Sequence, residues 1–201
     1  MIKRFILLVT AALTSPSFAS TGNSLIIEGG AGVLLSPEML TDSYESAFGG
    51  KLQFAVRWQR NELGFYLIGE RDTYSQSSRH ASADVSSWAV GPGVMIDVHA
   101  WGTSEQQKNL SVYAHALFGN ANYRLDEDNG TEVAKGDKDI VKVIIGGRVY
   151  FPIFWGMHAY TGPEISYSNI DFEYPASYSE DETSPVNLNI GGVAGLSYGF
   201  F

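Results

Sequence analysis

Apolar residues recur at every second position over many short stretches of this chain, and this period of two restricts the fold more than any other feature. The clearest stretch runs from Phe48 to Gln59, where alternate residues from Phe48 to Trp58 are apolar or glycine. The residues between them, among them Lys51 and Arg57, are polar or small. Successive side chains of a β-strand point to opposite faces, so the pattern predicts a strand with one apolar and one polar environment.

The stretch from Ile140 to Phe151 alternates in the same way, but it is also apolar enough to suggest a membrane helix. A helix is excluded because Lys142 and Arg148 would then not both stay away from lipid. The Gly146-Gly147 pair and the following proline also oppose a helix. We therefore predict a strand here too.

Six further stretches alternate, and each has about the 9 to 11 residues that a membrane-crossing strand needs. The eight predicted strands are Ser24–Leu35, Phe48–Gln59, Leu63–Thr73, Val85–Val98, Leu110–Tyr123, Ile140–Phe151, Ala159–Ser168 and Val186–Phe200. In hydrocarbon an unpaired sheet edge leaves backbone groups without hydrogen-bond partners, so the sheet must close. The prediction is an all-β fold, an eight-stranded antiparallel transmembrane β-barrel.

The N-terminal residues resemble a secretory signal peptide. Lys3 and Arg4 precede the apolar residues 5–13, and Ala19 follows Ser17 at the spacing of a signal peptidase site. We expect residues 1–19 to be removed and residues 20–201 to form one domain. An exported chain whose strands cross a membrane indicates the bacterial outer membrane.

Composition limits the remaining options. The chain has no cysteine, so disulfides, thiol chemistry and a lipoprotein anchor are excluded. Its formal net charge of -9 makes nucleic acid an unsuitable partner. The sequence DEDNG at residues 126–130 is similar to a calcium loop, but its spacing is wrong, so no metal or cofactor is predicted.

Connections of alternating length support the barrel. Arg60-Asn61 is predicted to be a tight turn and residues 152–158 a short one, both on the periplasmic side, where the turn at 101–109 is longer than usual. Long polar connections at residues 36–46, 74–84, 124–139 and 169–185 are expected to form outer loops. Half of the 22 acidic residues lie within 126–139 and 169–185.

Residues at the C-terminus make the resemblance more specific. Leu196, Tyr198 and Phe200 alternate up to the end of the last strand, although Phe201 follows them. With the signal peptide and the eight alternating stretches, the chain resembles the small outer-membrane barrels of the OmpA transmembrane domain, OmpX and OmpW kind. The resemblance implies a monomeric barrel, in contact with outer-membrane lipid and lipopolysaccharide, whose C-terminal residues are read by the barrel assembly machinery.

The interior of an eight-stranded barrel is just wide enough for its own side chains to fill. The residues predicted to face inward include four acids and four bases, namely Glu28, Lys51, Arg57, Glu70, Asp97, Lys142, Arg148 and Glu164. Enclosed charges are costly unless paired, so a neutral network is expected. A turn centred between Arg60 and Asn61 places Lys51 directly opposite Glu70, and Arg148 is expected diagonal to Glu164, within pairing distance.

Three functions remain open on these grounds. One is an envelope or surface-interaction protein with a plugged lumen, whose acidic outer loops meet the surface or an external ligand. A narrow pore gated by the lumen salt bridges is the alternative. A lipid A-modifying enzyme is a third class, but His99 and His115 are predicted to face inward, away from lipid, so we predict no enzyme. Pro92 and Pro163 interrupt predicted strands and are expected to lie beside bulges.

Overall fold

Eight antiparallel strands form a closed barrel in the computed structural model, with each strand paired to its neighbours in sequence and β1 paired to β8. The structure describes residues 23–35, 46–77, 81–102, 107–127, 130–154, 156–170 and 187–200, and residues 46, 47 and 81 by their backbone alone. The strands are β1 Asn23–Leu35, β2 Ser46–Arg60, β3 Leu63–Ser77, β4 Ala81–Trp101, β5 Lys108–Glu127, β6 Glu132–Phe154, β7 Met157–Ser168 and β8 Leu188–Phe200. The predicted fold class is confirmed. The predicted signal peptide, residues 1–19, lies outside the described residues.

Side chains alternate between the outside and the inside of the barrel as the period of two predicts. Along β3, exposed and buried residues alternate from Leu63 almost to Ser77. The outward residues of β2 include Phe48 and Leu52, which are 61% and 63% exposed. An apolar exterior around a polar interior is typical of a barrel surrounded by lipid.

The register shows how the strands tilt. A row of cross-strand partners can be followed around the barrel from Trp58 on β2, through one residue on each of the other seven strands. The row returns to β2 at Phe48, after passing through Phe65, Val94, Ala114, Ile145, Ile165, Ile190 and Leu35. The row has moved ten residues along the strand, from the periplasmic to the outer end. Strands must tilt to close with such a stagger.

Four strands extend at least four residues beyond their predicted outer ends. Residues 74–84 and 124–139 were expected to be loops, but β3 and β4 continue to Ser77 and from Ala81, while β5 and β6 continue to Glu127 and from Glu132. The prediction was wrong because their polar outward residues resemble loop composition, although they pair in register. We call residues 73–77, 81–87, 120–127 and 132–139 the outer extension.

The prolines are accommodated without the expected bulges. Pairs on either side of Pro92, Val90 with Phe118 and Gly93 with His115, keep one register between β4 and β5. Pairs on either side of Pro163 keep one register between β6 and β7. Proline lacks an N–H but its carbonyl and side chain fit an outward strand position, so the ladder is interrupted locally rather than shifted.

Register shifts occur elsewhere, near strand ends, at Asp97/His99, Leu125/Asp126 and Pro152/Phe154. Within the described ranges, no helix is long and apolar enough to cross a membrane.

Candidate functional site

The predicted inward charges lie inside the barrel. Seven of the eight are buried, namely Glu28, Lys51, Arg57, Glu70, Lys142, Arg148 and Glu164, and Asp97 is half-buried. The eight residues come from six different strands, so the closed register brings them together. All except Asp97 fall into two groups with different partners.

The first group, here called the lysine cluster, contains two bases and three acids. Its members are Lys51, Glu70, Asp72, Lys142 and Glu164. Glu70 lies between the two lysines, with its carboxylate oxygens 2.8 Å from Lys51 Nζ and 2.6 Å from Lys142 Nζ. Lys51 also pairs with Glu164, and Lys142 with Asp72. Each lysine therefore neutralises parts of two carboxylates.

The second group, here called the arginine cluster, contains two bases and one acid. Glu28 lies between two guanidinium groups, 3.1 Å from Arg57 Nη2 and 2.7 Å from Arg148 Nη1. The Tyr150 hydroxyl donates a 3.0 Å hydrogen bond to the same carboxylate. One carboxylate thus holds two buried cations.

Aromatic side chains join the two clusters. Tyr113 donates a 2.9 Å hydrogen bond to Glu164, and the Arg148 guanidinium lies 4.4 Å from the centre of its ring. Arg148 also lies 4.5 Å from the ring centre of Tyr160, whose hydroxyl accepts a 3.0 Å hydrogen bond from Gln53. Contacts of this kind stabilise a cation more strongly away from water.

The two clusters balance each other in charge. The lysine cluster has one acid in excess and the arginine cluster one base in excess, so the eight groups together are neutral. Unbalanced charge in a medium of low dielectric constant is costly, and the balance between the two clusters reduces that cost.

The predicted register of the β2–β3 hairpin was wrong by two residues. Lys51 lies opposite Asp72, and Glu70 lies opposite Gln53. The two-residue turn is Asn61-Glu62, because Asn61 adopts the left-handed conformation, with φ of 53°, that such a turn requires. Lys51 still reaches Glu70, since a lysine side chain spans the diagonal between neighbouring strands.

The expected pairing of Arg148 with Glu164 is replaced by other partners. Glu164 lies opposite Gly146, so the diagonal placement was right. Arg148 nevertheless reaches across the barrel to Glu28, and Glu164 pairs with Lys51. Which charged residues meet across the lumen depends on the shape of its cross-section. The pairing of neighbouring strands does not specify that shape.

Asp97 lies apart from both clusters. Its carboxylate accepts hydrogen bonds from Ser111 Oγ at 2.6 Å and from Gln59 Nε2 at 3.3 Å. It lines a cavity of about 220 Å³ near the periplasmic end, which is also lined by Arg57 and Tyr150.

Asp72 belongs to the lysine cluster, but it was not among the lumen residues predicted from the sequence. It is buried and lies two residues after Glu70, on the same face of β3. That spacing was the signal that could have identified it. Assigning every residue of the strand to the inward or outward face, and then collecting all charged residues on the inward face, would have included Asp72.

The predicted orientation of His99 was wrong. The register shift between Asp97 and His99 turns this ring outward, where it is exposed and stacks on Trp101 with ring centres 5.7 Å apart. His115 does face inward and packs between Tyr66 and Tyr113. Among the described residues neither ring nitrogen of His115 has a hydrogen-bond partner.

Apolar side chains occupy much of the lumen on the outer side of the lysine cluster, beside the buried polar residues Gln76 and Ser87. These apolar side chains include Tyr74, Ala83, Val85, Ala121, Tyr123, Leu125 and Ile140, each at most 6% exposed. We call them the apolar cap. The described residues contain no group of three or more histidine, aspartate or glutamate side chains placed to hold a metal ion.

The C-terminal alternation lies on β8, the strand that closes the barrel against β1. Leu196, Tyr198 and Phe200 face outward and are 51%, 41% and 47% exposed. The rings of Tyr198 and Phe200 meet edge to face, 4.9 Å between centres. Phe201 lies outside the described residues.

Comparison with known proteins gives structural likeness alone. No protein-family model matches the chain, and no curated protein sequence matches it. A major outer membrane protein from Thermus thermophilus is 15% identical and superposes with a TM-score of 0.51, covering 89% of this chain and 100% of that one. This score shows a shared fold.

Two further solved structures cover nearly the same part of the chain. Neisserial surface protein A is 17% identical, with 90% and 99% of the two chains covered and a TM-score of 0.47. Ail, the attachment invasion locus protein of Yersinia pestis, is 13% identical, with 89% and 97% covered and a TM-score of 0.42. The chain thus shares the closed eight-stranded β-barrel fold of the Thermus protein, and its barrel has an apolar exterior.

Proposed function

We propose that this protein is a monomeric, non-conducting outer-membrane barrel that contributes to envelope structure and meets surface ligands through its outer extension. The lumen arrangement is the observation that supports this proposal. Two ion-pair clusters fill the middle of the barrel, and the apolar cap lies on their outer side. An ion crossing the barrel would have to separate the paired charges and then displace close-packed apolar side chains.

The outer extension supports a role at the surface. Its residues line a cavity of about 1010 Å³, whose lining also includes Tyr74, Val85 and Tyr123 of the apolar cap. The walls combine polar and charged side chains, including Asp84, Asn122, Arg124 and Lys135, with Phe48 at the edge of the apolar exterior. Such a surface suits polar ligands such as the sugars of lipopolysaccharide or an external protein. The acidic residues 171–185, which were also predicted to meet the surface, lie outside the described residues.

The C-terminal residues support assembly by the barrel assembly machinery. Leu196, Tyr198 and Phe200 present an uninterrupted outward apolar row on the closing strand. The backbone edge of β8 beside this row is free to pair with another strand until β8 pairs with β1.

A narrow pore is the second candidate, and one observation favours it. Several buried polar atoms have no protein partner within the described residues, among them Arg148 Nη2, Asp72 Oδ1 and Ser166 Oγ. Buried polar groups without protein partners usually bind water, so the clusters can be hydrated from the periplasmic cavity. Rearrangement of hydrated pairs would open a path.

Single-channel conductance separates the two candidates. The refolded protein, shown to be folded by its heat-dependent gel mobility, is placed in a planar bilayer beside Lys51→Ala and the exposed control Lys135→Ala. We expect no discrete openings in any of the three proteins, because the apolar cap persists in the variants. Openings in the wild type that enlarge in Lys51→Ala alone would establish the gated pore instead.

A further inference from the structure

One charged side chain lies on the lipid-facing surface of the barrel. The outward residues of β3 from the periplasmic turn are Leu63, Phe65, Leu67, Gly69 and Arg71, followed by Thr73 and Ser75. At the outward positions of the eight described strands, every other charged side chain lies in the outer extension or at the periplasmic end of β2 or β5. A charged side chain that faces lipid is unfavourable, although the cost is smallest near the membrane interface. Its presence here suggests that Arg71 binds a ligand.

Arg71 lies near the outer margin of this apolar surface. Its cross-strand neighbours are Leu52 and Trp88, which are 63% and 57% exposed. Phe48, opposite Ser75, continues the apolar surface beyond it. Arg71 makes no ion pair or hydrogen bond within the described part of the chain. Its guanidinium is therefore available to a partner from the membrane.

A groove in the barrel wall begins beside this arginine. The cavity measures about 390 Å³, and its lining includes Leu52, Phe54, Gly69, Arg71, Trp88 and Val90. Gly69 forms the floor, and a Cβ atom there would approach only the Phe54 carbonyl oxygen, at 4.0 Å. A side chain at this position would therefore not clash with the rest of the protein. The lack of a side chain at Gly69 leaves an apolar trough beside the arginine.

We propose that Arg71 and the groove over Gly69 bind one lipid A moiety of outer-leaflet lipopolysaccharide. The guanidinium contacts a lipid A phosphate, an acyl chain lies along Gly69 between Phe54 and Val90, and the Trp88 indole borders the sugar. A guanidinium matches the geometry of phosphate oxygens, and interfacial tryptophan packs against the polar edge of lipid. The site lies on the outer half of the barrel, where the leaflet contains lipopolysaccharide.

This inference rests on the orientation used in the proposed function, with the outer extension outside the cell. It does not depend on whether the lumen conducts. Conductance is measured on the same preparations, so a conducting barrel would overturn the plug alone, whereas lost lipid A selectivity would overturn the lipid site alone.

The test is native mass spectrometry of the refolded protein in detergent micelles titrated with lipid A, dephosphorylated lipid A or phosphatidylglycerol. Gel mobility confirms that each variant is folded. The charge variant is Arg71→Gln, with Arg60→Gln at the exposed periplasmic turn as its matched control. The groove variant is Gly69→Leu, with Gly147→Leu, an outward glycine of β6, as its control. Arg71→Lys keeps a charge if Arg71→Gln fails to fold.

We expect Arg71→Gln to lower lipid A occupancy about tenfold, the loss of roughly one charged hydrogen bond. Gly69→Leu should lower it several-fold by filling the groove, and Arg71→Lys should give an intermediate value. Both controls should bind like the wild type. Equal wild-type binding of lipid A and its dephosphorylated form, or equal losses in Arg71→Gln and Arg60→Gln, would overturn the proposal. Equal binding of phosphatidylglycerol would overturn the assignment to lipid A.

Discussion

The membrane-spanning part of the barrel and the outer extension have opposite polarity. In the membrane-spanning part, apolar side chains such as Leu52 and Leu67 face outward, and charged ones such as Lys51 face inward. In the outer extension, Val85 and Leu125 face inward and are at most 3% exposed, while the outward side chains are polar. The same four strands cross both regions without changing face. Alternation is thus continuous, and the surroundings decide which face is apolar.

The two regions also differ in what fills the inside of the barrel. Inside the membrane, the exterior must be apolar, so polar residues are confined to the lumen and must pair there. Outside the membrane, water surrounds the sheet, and an ordinary apolar core such as the apolar cap is favourable. The lysine cluster lies where these two interiors meet.

The largest effect is expected for Lys142→Met, which removes the cation between Glu70 and Asp72. The variant leaves buried carboxylates with one lysine fewer, so unfolding free energy should fall by about 3 to 5 kcal/mol. Urea unfolding in micelles, followed by gel mobility, measures it. Adding Asp72→Asn should recover part of the loss; a double variant no more stable than Lys142→Met would show that the pair is not the cause.

The same substitution on the two outward faces sharpens the comparison. Leu67→Arg puts a charge against lipid in the middle of β3 and should destabilise the barrel by about 2 to 4 kcal/mol. Asn122→Arg, at an exposed outward position of β5 in the outer extension opposite Ser86 and Asp137, should change stability by less than about 0.5 kcal/mol. Urea unfolding in lipid vesicles compares the two variants, and equal losses would contradict the assigned boundary.

A small effect is also expected when an exposed ion pair of the outer extension is removed. Lys135 Nζ lies 3.2 Å from Glu132, and both side chains are exposed. Lys135→Ala should change the unfolding free energy by less than about 1 kcal/mol, because water screens the pair. The measurement is again urea unfolding; a loss as large as that of Lys142→Met would contradict the distinction between the two regions.

The sequence predicted the fold well because the period of two is a local property. It was sufficient to assign all eight strands and the inward faces of Lys51 and Arg148. It failed for the outer extension, because polar outward residues indicate loops as readily as strands in water. It also failed for His99, since one extra residue in a strand reverses every face beyond it.

The partners in the lumen required the tertiary structure. Sequence alone determined which charges face inward, since alternation in a strand specifies the face of each side chain. It did not determine that Arg148 meets Glu28, 120 positions away, or that Lys51 meets both Glu70 and Glu164. Those contacts depend on the closure of the barrel and the stagger of its register, which bring distant strands within a side chain's length.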